Sequence, residues 1–424
     1  MDKKYEIALS YAHLDWEIAN MIGKQLDFIF SDSFFMDEYR PEELANADVF
    51  EEKLKDIFRR SDYAVILYSK NYSRGNFTVV EMQQILEKNQ TAKDSNCFIL
   101  NIDDCAEIHN QIPELTYTAF SVYGSDKNGD DKELEGYSRD KVQERIYNIV
   151  HNKIKKNIFL QKAAKKENQK EFGIRVQTLC PFGHEYQWDK VYDWNILGKA
   201  FIREEDGRKL KEGILWQDFW NYIAREFGWM IESLRDAPKV TRRIYLHCHL
   251  SIAFKLGQMY GDLRQASGNR NLILVSSNRV KNTEFSFQDT MQEKETEDYC
   301  QQYDGNSLES ADIVCIISVK PYEQGNVLDT VKQYLEQRGK KYAKIYLFKR
   351  KMTIENADTL ESMATYLRVK MMECRTGNKC IIHLFPDTTA PLMFALGARS
   401  VFTGTIQLYE YIPKEDTYTE SLTN

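Results

Sequence analysis

The stretch YAVILYSKNYSRGNFTVVE, residues 63–81, opens on six consecutive apolar or aromatic residues, Tyr63–Tyr68. A run with no polar alternation predicts a strand buried on both faces, as in a parallel sheet covered by helices. The turn formers of Ser69–Gly75 close that strand. Beyond them Phe77 and Glu81 stand at i and i+4, stacked on one helical face, in a helix predicted from about Phe77 to Lys88. Upstream, Tyr5–Ser10 and Phe34–Met36 are short strand candidates. Between and after them, Ile18, Ile22, Leu26 and Ile29, then Phe50, Leu54, Ile57 and Phe58, recur at helical spacing. Downstream, Phe98–Ile102 is again apolar. Strands alternating with amphipathic helices predict an α/β fold with a doubly wound parallel sheet.

The whole chain has 424 residues, enough for two or three domains. It is 42% hydrophobic and 29% charged, a globular balance that excludes wholesale disorder. A net charge of −7 argues against a non-specific nucleic-acid coat, which needs a basic excess. The eight cysteines are scattered without a C-x-x-C pair, which predicts free thiols in a reducing compartment. The start, MDKKYEIALSY, has no apolar signal-peptide core, and no apolar run reaches membrane-spanning length. The expectation is a cytoplasmic protein. CPFGH at 180–184 has no second close Cys/His pair, so no metal site is expected.

Residues 153–175 change character, with eight basic residues against Glu167 and Glu171. They read as a basic linker or solvated helix, the alternative being a strut that touches a ligand or neighbour. From residue 176 the chain returns to α/β patterning, with apolar runs at 244–250, 272–275, 313–319, 345–348 and 380–385. Helical patterns lie near 327–337 and 357–373. SIAFKLG at 251–257 echoes PLMFALG at 391–397, each after an apolar strand containing His. The echo records two fused, similar halves, or it is chance.

Three pieces fall at strand ends of the N-terminal part: ALSYAHLDWE (8–17), FFMDEYRPEEL (34–44) and YSKNYSRGNFTVVE (68–81). Ligands of doubly wound sheets sit outside the carboxyl ends of the strands, so the three can converge on one cleft. A carboxylate beside an aromatic wall suits ribose recognition and can stabilise an oxocarbenium-like state. These pieces resemble the TIR family, over about residues 1–150. The resemblance implies a flavodoxin-like sheet and a catalytic glutamate at Glu81, with Phe77 where the family usually has Trp. It also implies that Ser10, Tyr11, Phe35, Asp37, Ser69, Tyr72 and Phe77 line an NAD⁺ cleft. NAD⁺ enters as substrate, with no cofactor expected. Many TIR domains are adaptors, so the fold alone does not decide for catalysis.

In the C-terminal part, the junctions HCHLS (247–251) and HLFPDTTAP (383–391) lead from strand to helix, where free N–H groups bind phosphate readily. The loop SVKPYEQGN (318–326) adds Lys320, Tyr322 and Gly325. IYLHCHLSIAFKLG, and IIHLFPDTTAPLMFALG followed by LYEYIP, resemble the SAVED family over about residues 176–415. That resemblance implies two fused Rossmann-like, CARF-like halves binding a cyclic oligonucleotide, usually a trinucleotide, made by a partner nucleotidyltransferase in antiphage (CBASS) signalling. Candidate ligand groups are His249, Ser251, Lys320, Tyr322, Phe385, Thr388 and Thr389. For His247, His249 and His383, satisfied strand-end histidines are the competing assignment.

The expected organisation is therefore a TIR domain at 1–152, a basic linker or helix at 153–175 and a SAVED domain at 176–424. The expected function is NAD⁺ hydrolysis by TIR domains that self-associate when the sensor binds its ligand. The alternative is a non-catalytic TIR scaffold that recruits a partner.

Overall fold

The computed structural model describes residues 5–44, 50–74, 78, 81–85, 87, 96–102, 118–122, 139–165, 171–179, 193–198, 201–203, 208–236, 240–267, 272–277, 282–286, 299–320, 326–375, 377, 379–400 and 404–423. The chain divides into two compact units, Met1–Gln161 and Lys162–Asn424.

In the N-terminal unit, strands β1 (Ile7–Tyr11), β2 (Phe34–Phe35), β3 (Tyr63–Tyr68), β4 (Cys97–Asn101) and β5 (Thr118–Ser121) form one sheet in the order β2-β1-β3-β4-β5. Every pairing is parallel. This is the flavodoxin-like order, and its winding reverses between β1 and β3. All six residues of β3 are buried, as an unbroken apolar run requires. On one face, Ala8, Ala64, Ile66 and Ile99 pack with Leu54 and Phe58 of α2 (Phe50–Arg60) and with Met82 and Ile85 of the helical residues 81–85. On the other, α1 (Trp16–Phe30) buries Ile22, Leu26 and Ile29 and packs against β1, β2 and α3 (Arg139–Ile149). Helices on both faces make the sheet doubly wound.

Of the two readings of the basic stretch, the structure shows a helix through Lys165. α3 runs through a π-helical turn, Val150–Ile154, directly into α4 (Lys155–Lys165), and strand β6 already begins at Glu171. Ile154, Lys155, Ile158 and Phe159 are buried, so apolar residues between the lysines seat this segment. The helix is therefore not wholly solvated but carries a core-facing stripe.

The C-terminal unit holds two sheets. The first has the order β10-β9-β8-β6-β7, from β6 (Glu171–Gln177), β7 (Trp194–Leu197), β8 (Thr241–His247), β9 (Leu272–Ser277) and β10 (Asn282–Ser286). The second has the order β11-β13-β12-β14-β15-β16, from β11 (Cys300–Asp304), β12 (Ile313–Lys320), β13 (Lys344–Lys351), β14 (Ile382–Asp387), β15 (Ile406–Ile412) and β16 (Thr417–Thr423). Central pairings are parallel, while β10, β11 and β16 are antiparallel edge strands. The helices are α5 (Trp216–Asp236), α6 (Leu250–Ser267), α7 (Val327–Gln337), α8 (Ala357–Glu373) and α9 (Ala390–Arg399). Winding reverses between β6 and β8 in the first sheet and between β12 and β14 in the second.

The echoed segments are the crossing point of α6 and α9. A Cβ at Gly257 would lie 2.0 Å from the Phe394 carbonyl oxygen, and a Cβ at Gly397 would lie 1.9 Å from that of Phe254. Each glycine thus abuts the residue three positions before the other. The contact is reciprocal, which supports two fused halves rather than a chance match. α9 is buried from Pro391 to Ala398, consistent with an apolar helix at the centre of a layered unit. Among the described residues no helix is long and apolar enough to cross a membrane.

Gly257→Ala or Gly397→Ala must push two helix backbones apart. Each is expected to lower stability by about 2–4 kcal/mol. The double variant should lose less than the sum, because the first methyl already separates the helices. Denaturant unfolding monitored by tryptophan fluorescence checks both statements.

Candidate active site and sensor surface

The reversal point between β1 and β3 gathers the N-terminal candidates. Ser10 is the last residue but one of β1, Ser69 and Tyr72 follow β3, and Glu81 lies on the helix beyond. Ser10 Oγ donates to Glu81 Oε2, and the Tyr72 hydroxyl lies 2.6 Å from Ser10 Oγ. With the serine proton committed to the carboxyl, the phenol donates to the serine, giving a polarised chain Tyr72–Ser10–Glu81. Thr78, three residues before Glu81, donates its Oγ1 proton to the Tyr72 carbonyl at 2.6 Å. Nearby, the Tyr11 hydroxyl donates to Asp37 Oδ1 at 2.9 Å.

Glu81 is 9% exposed. Burial pushes its carboxyl from an ordinary 4.5 up to about 8; the Ser10 hydrogen bond opposes the shift and the Asp37 charge adds to it. Burial also raises the Tyr72 phenol well above its usual range, helped by Glu81. A neutral carboxyl held in a hydrogen-bonded pocket is a group whose ionisation a cationic ligand would favour.

Four N-terminal candidates, Phe35, Ser10, Ser69 and Tyr72, need correction. Phe35 lies in the core, 5.3 Å from Tyr5 and 6.2 Å from Phe58 by ring centroids, and lines no cleft. Ser10, Ser69 and Tyr72 are all buried: Ser10 bonds the carboxyl, Tyr72 bonds Ser10, and Ser69 bonds Asp15 and the backbone of its own turn. Phe77 lies outside the described residues. Two residues not foreseen join the cluster: Asp15 accepts the Ser69 hydroxyl through Oδ2 and Asn71 Nδ2 through Oδ1 at 2.8 Å. A cavity of about 350 Å³ between α1 and α3, lined by Trp16, Asn20, Lys24, Arg139 and Gln143 among others, shares no residue with this cluster.

In the C-terminal unit several phosphate candidates are otherwise engaged. Ser251 is fully buried, and its N–H and Oγ–H both donate to Glu410 Oε1 at 2.6 Å. A carboxylate from β15 therefore fills the start of α6, the place assigned to a ligand phosphate. His249 is satisfied as well: Nδ1 lies 2.8 Å from Thr178 Oγ1, Nε2 lies 2.7 Å from the Arg208 carbonyl, and Trp216 and Phe219 approach edge-on. Phe385 is core, stacked on Tyr409 with centroids 4.1 Å apart. His383 bonds the Tyr409 hydroxyl at 2.8 Å.

What remains at the β12/β14 reversal is polar. Lys320 pairs with Asp387, Ser318 Oγ donates to Asp387 Oδ2 at 3.2 Å, and Thr388 Oγ1 donates to the Val319 carbonyl at 2.8 Å. Thr389 stands at the cap of α9 with no side-chain cap bond. Tyr322 lies outside the described residues. At the β6/β8 reversal, burial together with Arg175 and Arg208 drives His247 down to about 4, so this end is cationic without the imidazole. Arg208 also acts on Glu410 and Tyr411, and was not foreseen because it sits in an unpatterned loop. Among the described residues no group of three or more His, Cys, Asp or Glu side chains is arranged to hold a metal.

The family model described as "SMODS-associated and fused to various effectors sensor domain" matches residues 224–423. Those residues are a SAVED domain. The model begins inside α5, so β6 and β7 precede the matched part. Among solved structures, the chain is similar to the Acinetobacter baumannii Cap4 SAVED/CARF-domain containing receptor with the cyclic trinucleotide 3′3′3′-cAAA, at 14% identity and a TM-score of 0.43, covering 89% of this chain and 86% of that one. The Moraxella osloensis Cap4 receptor follows at 13% identity and 0.39, covering 89% and 85%. No curated protein matches the chain.

The raised Glu81 carboxyl carries a sign that can be checked. Its proton is held more tightly in the fold than in the unfolded chain, so its stabilising share is complete below about pH 4.5 and is lost as pH rises through about 8. Glu81→Gln, which cannot ionise, is expected to gain melting temperature relative to wild type over that interval. Paired thermal unfolding from pH 5 to 9 reads the difference.

Proposed function

We propose that the chain is a ligand-gated NAD⁺ glycohydrolase. The N-terminal unit is a TIR domain acting through Glu81, and the SAVED domain is the sensor for a cyclic oligonucleotide. The observation that carries the catalytic half is the buried Ser10–Tyr72–Glu81 chain at the sheet's reversal point. The family match carries the sensor half.

In the reaction, the bond between ribose C1′ and the pyridinium nitrogen breaks, and its electron pair stays on nitrogen. Nicotinamide leaves neutral and needs no general acid. The cationic C1′ that develops is opposed by the Glu81 carboxylate, and a water oxygen then bonds C1′ and releases a proton. The positive nicotinamide ring favours the ionised carboxylate, so substrate itself draws down the raised ionisation of Glu81. On the sensor side, Lys320, Thr388, Thr389 and Arg208 are the groups offered to phosphates, and the Cap4 receptor's cyclic trinucleotide suggests the ligand class. Ligand binding drives self-association of the TIR domains in the cytoplasm, where a partner nucleotidyltransferase supplies the messenger.

The decisive test is NAD⁺ consumption by the purified protein, alone and with cyclic di-, tri- and tetranucleotides. Turnover with one of them and little without is expected, and Glu81→Gln should abolish it while leaving ligand binding intact. Tight binding of one ligand with no turnover would support a recruiting scaffold instead. For the active protein, kcat/KM should climb with pH and level off above about 8, since free enzyme must ionise Glu81. Lys320→Ala is expected to weaken ligand binding roughly tenfold, as loss of one charge-assisted bond does, measured by titration calorimetry.

A further inference from the structure

We propose that Asp15 is a positioning residue for the Glu81 carboxyl, acting through the turn that follows β3; this rests on Glu81 being the group that cleaves NAD⁺. Asp15 stands just before α1, in the loop leaving β1. Both of its oxygens are used across the reversal point, Oδ2 by the Ser69 hydroxyl and Oδ1 by Asn71 Nδ2 at 2.8 Å. With its proton committed to Asp15, Ser69 Oγ accepts the N–H groups of Asn71 and Tyr72, each at 3.1 Å. These bonds fix the direction in which Tyr72 enters the core, where it is 2% exposed.

From there the route to the carboxyl is short. The Tyr72 hydroxyl meets Ser10 Oγ at 2.6 Å, and Ser10 donates to Glu81. The Tyr72 carbonyl takes Thr78 Oγ1 at 2.6 Å, three residues before Glu81. The loop after β1, the turn after β3 and the catalytic helix are thus joined by one closed set of hydrogen bonds. A carboxylate is the side chain that fits at position 15, because both groups facing it are donors. An amide there would set one N–H against the Asn71 amide and release the turn.

The test is Asp15→Asn beside the exchange Asp15→Asn with Asn71→Asp, which restores a donor facing an acceptor. Two readouts are taken. Steady-state kinetics use NAD⁺ and the cyclic oligonucleotide from the panel that activates wild type. Infrared titration follows the protonated carboxyl band that Glu81→Gln removes, which needs no turnover. Asp15→Asn is expected to lower kcat roughly tenfold or more, as a misplaced reacting group does, with KM little changed. It should also raise the titration midpoint of the Glu81 band, because the Ser10 donor loses the Tyr72 hydroxyl that holds it. The exchange should recover both. An Asp15→Asn protein with wild-type kcat and midpoint overturns the proposal, as does an exchange that folds and recovers neither. If wild type cleaves no NAD⁺, the catalytic assignment fails, and the carboxyl band still decides whether Asp15 positions Glu81.

Discussion

Two helices in this protein meet backbone to backbone at a pair of glycines. Gly257 and Gly397 let α6 and α9 approach until the space a methyl would fill is occupied by a carbonyl oxygen of the other helix. The helices follow β8 and β14, one in each sheet, so their crossing joins the two halves. Glu410 adds a polar tie at the same seam, reaching from β15 in the second half to the first turn of α6 in the first. A buried carboxylate that accepts two hydrogen bonds is expensive to leave unpaired, so this tie specifies one arrangement of the halves.

The N-terminal unit uses a different device. Its cluster is held by side chains from segments 54 to 71 residues apart in sequence, brought together by the reversal in strand order. Burial of Glu81 follows from packing: Met82 and Ile85, its neighbours on the same helix, belong to the core under β3 and β4. The carboxyl goes where the helix must go. Its neutral resting form is the physical outcome of that placement, and Ser10 and Tyr72 keep the buried group satisfied.

Much of the fold was legible because it rests on local pattern. The runs YAVILY and IVCIISV, and the helical spacings over 327–337 and 357–373, became elements with nearly those bounds. The edge strands β10, β11 and β16 were not read, because polar residues such as those of TYTESLT carry little periodic signal. The site was legible only in part. Ser10, Tyr72 and Glu81 do converge, whereas Phe35 and Phe385 joined the core and Ser251 was claimed by Glu410. The last could not be foreseen: the two residues are 159 positions apart, and only strand order brings them together. Asp15 stood inside a quoted motif, yet its role depends on donors contributed from beyond β3.

The π-helical turn at Val150–Ile154 has a consequence of its own. Such a turn holds about one residue more than an α-helical turn, which is how a helix absorbs a single inserted residue without breaking. Here it reconciles two stripes, Val142, Ile146 and Ile149 before it and Ile154, Ile158 and Phe159 after it, that one straight α-helix would not keep on a common side. Removing one residue from the turn would regularise the helix and leave the later stripe in phase with the earlier one, whereas winding the same residues as a plain α-helix would turn the later stripe by about 100°, the angle between successive residues. Ile154, Ile158 and Phe159 would then leave the side on which Val142, Ile146 and Ile149 are buried. The reading frame of burial along this segment is therefore kept by one irregular turn.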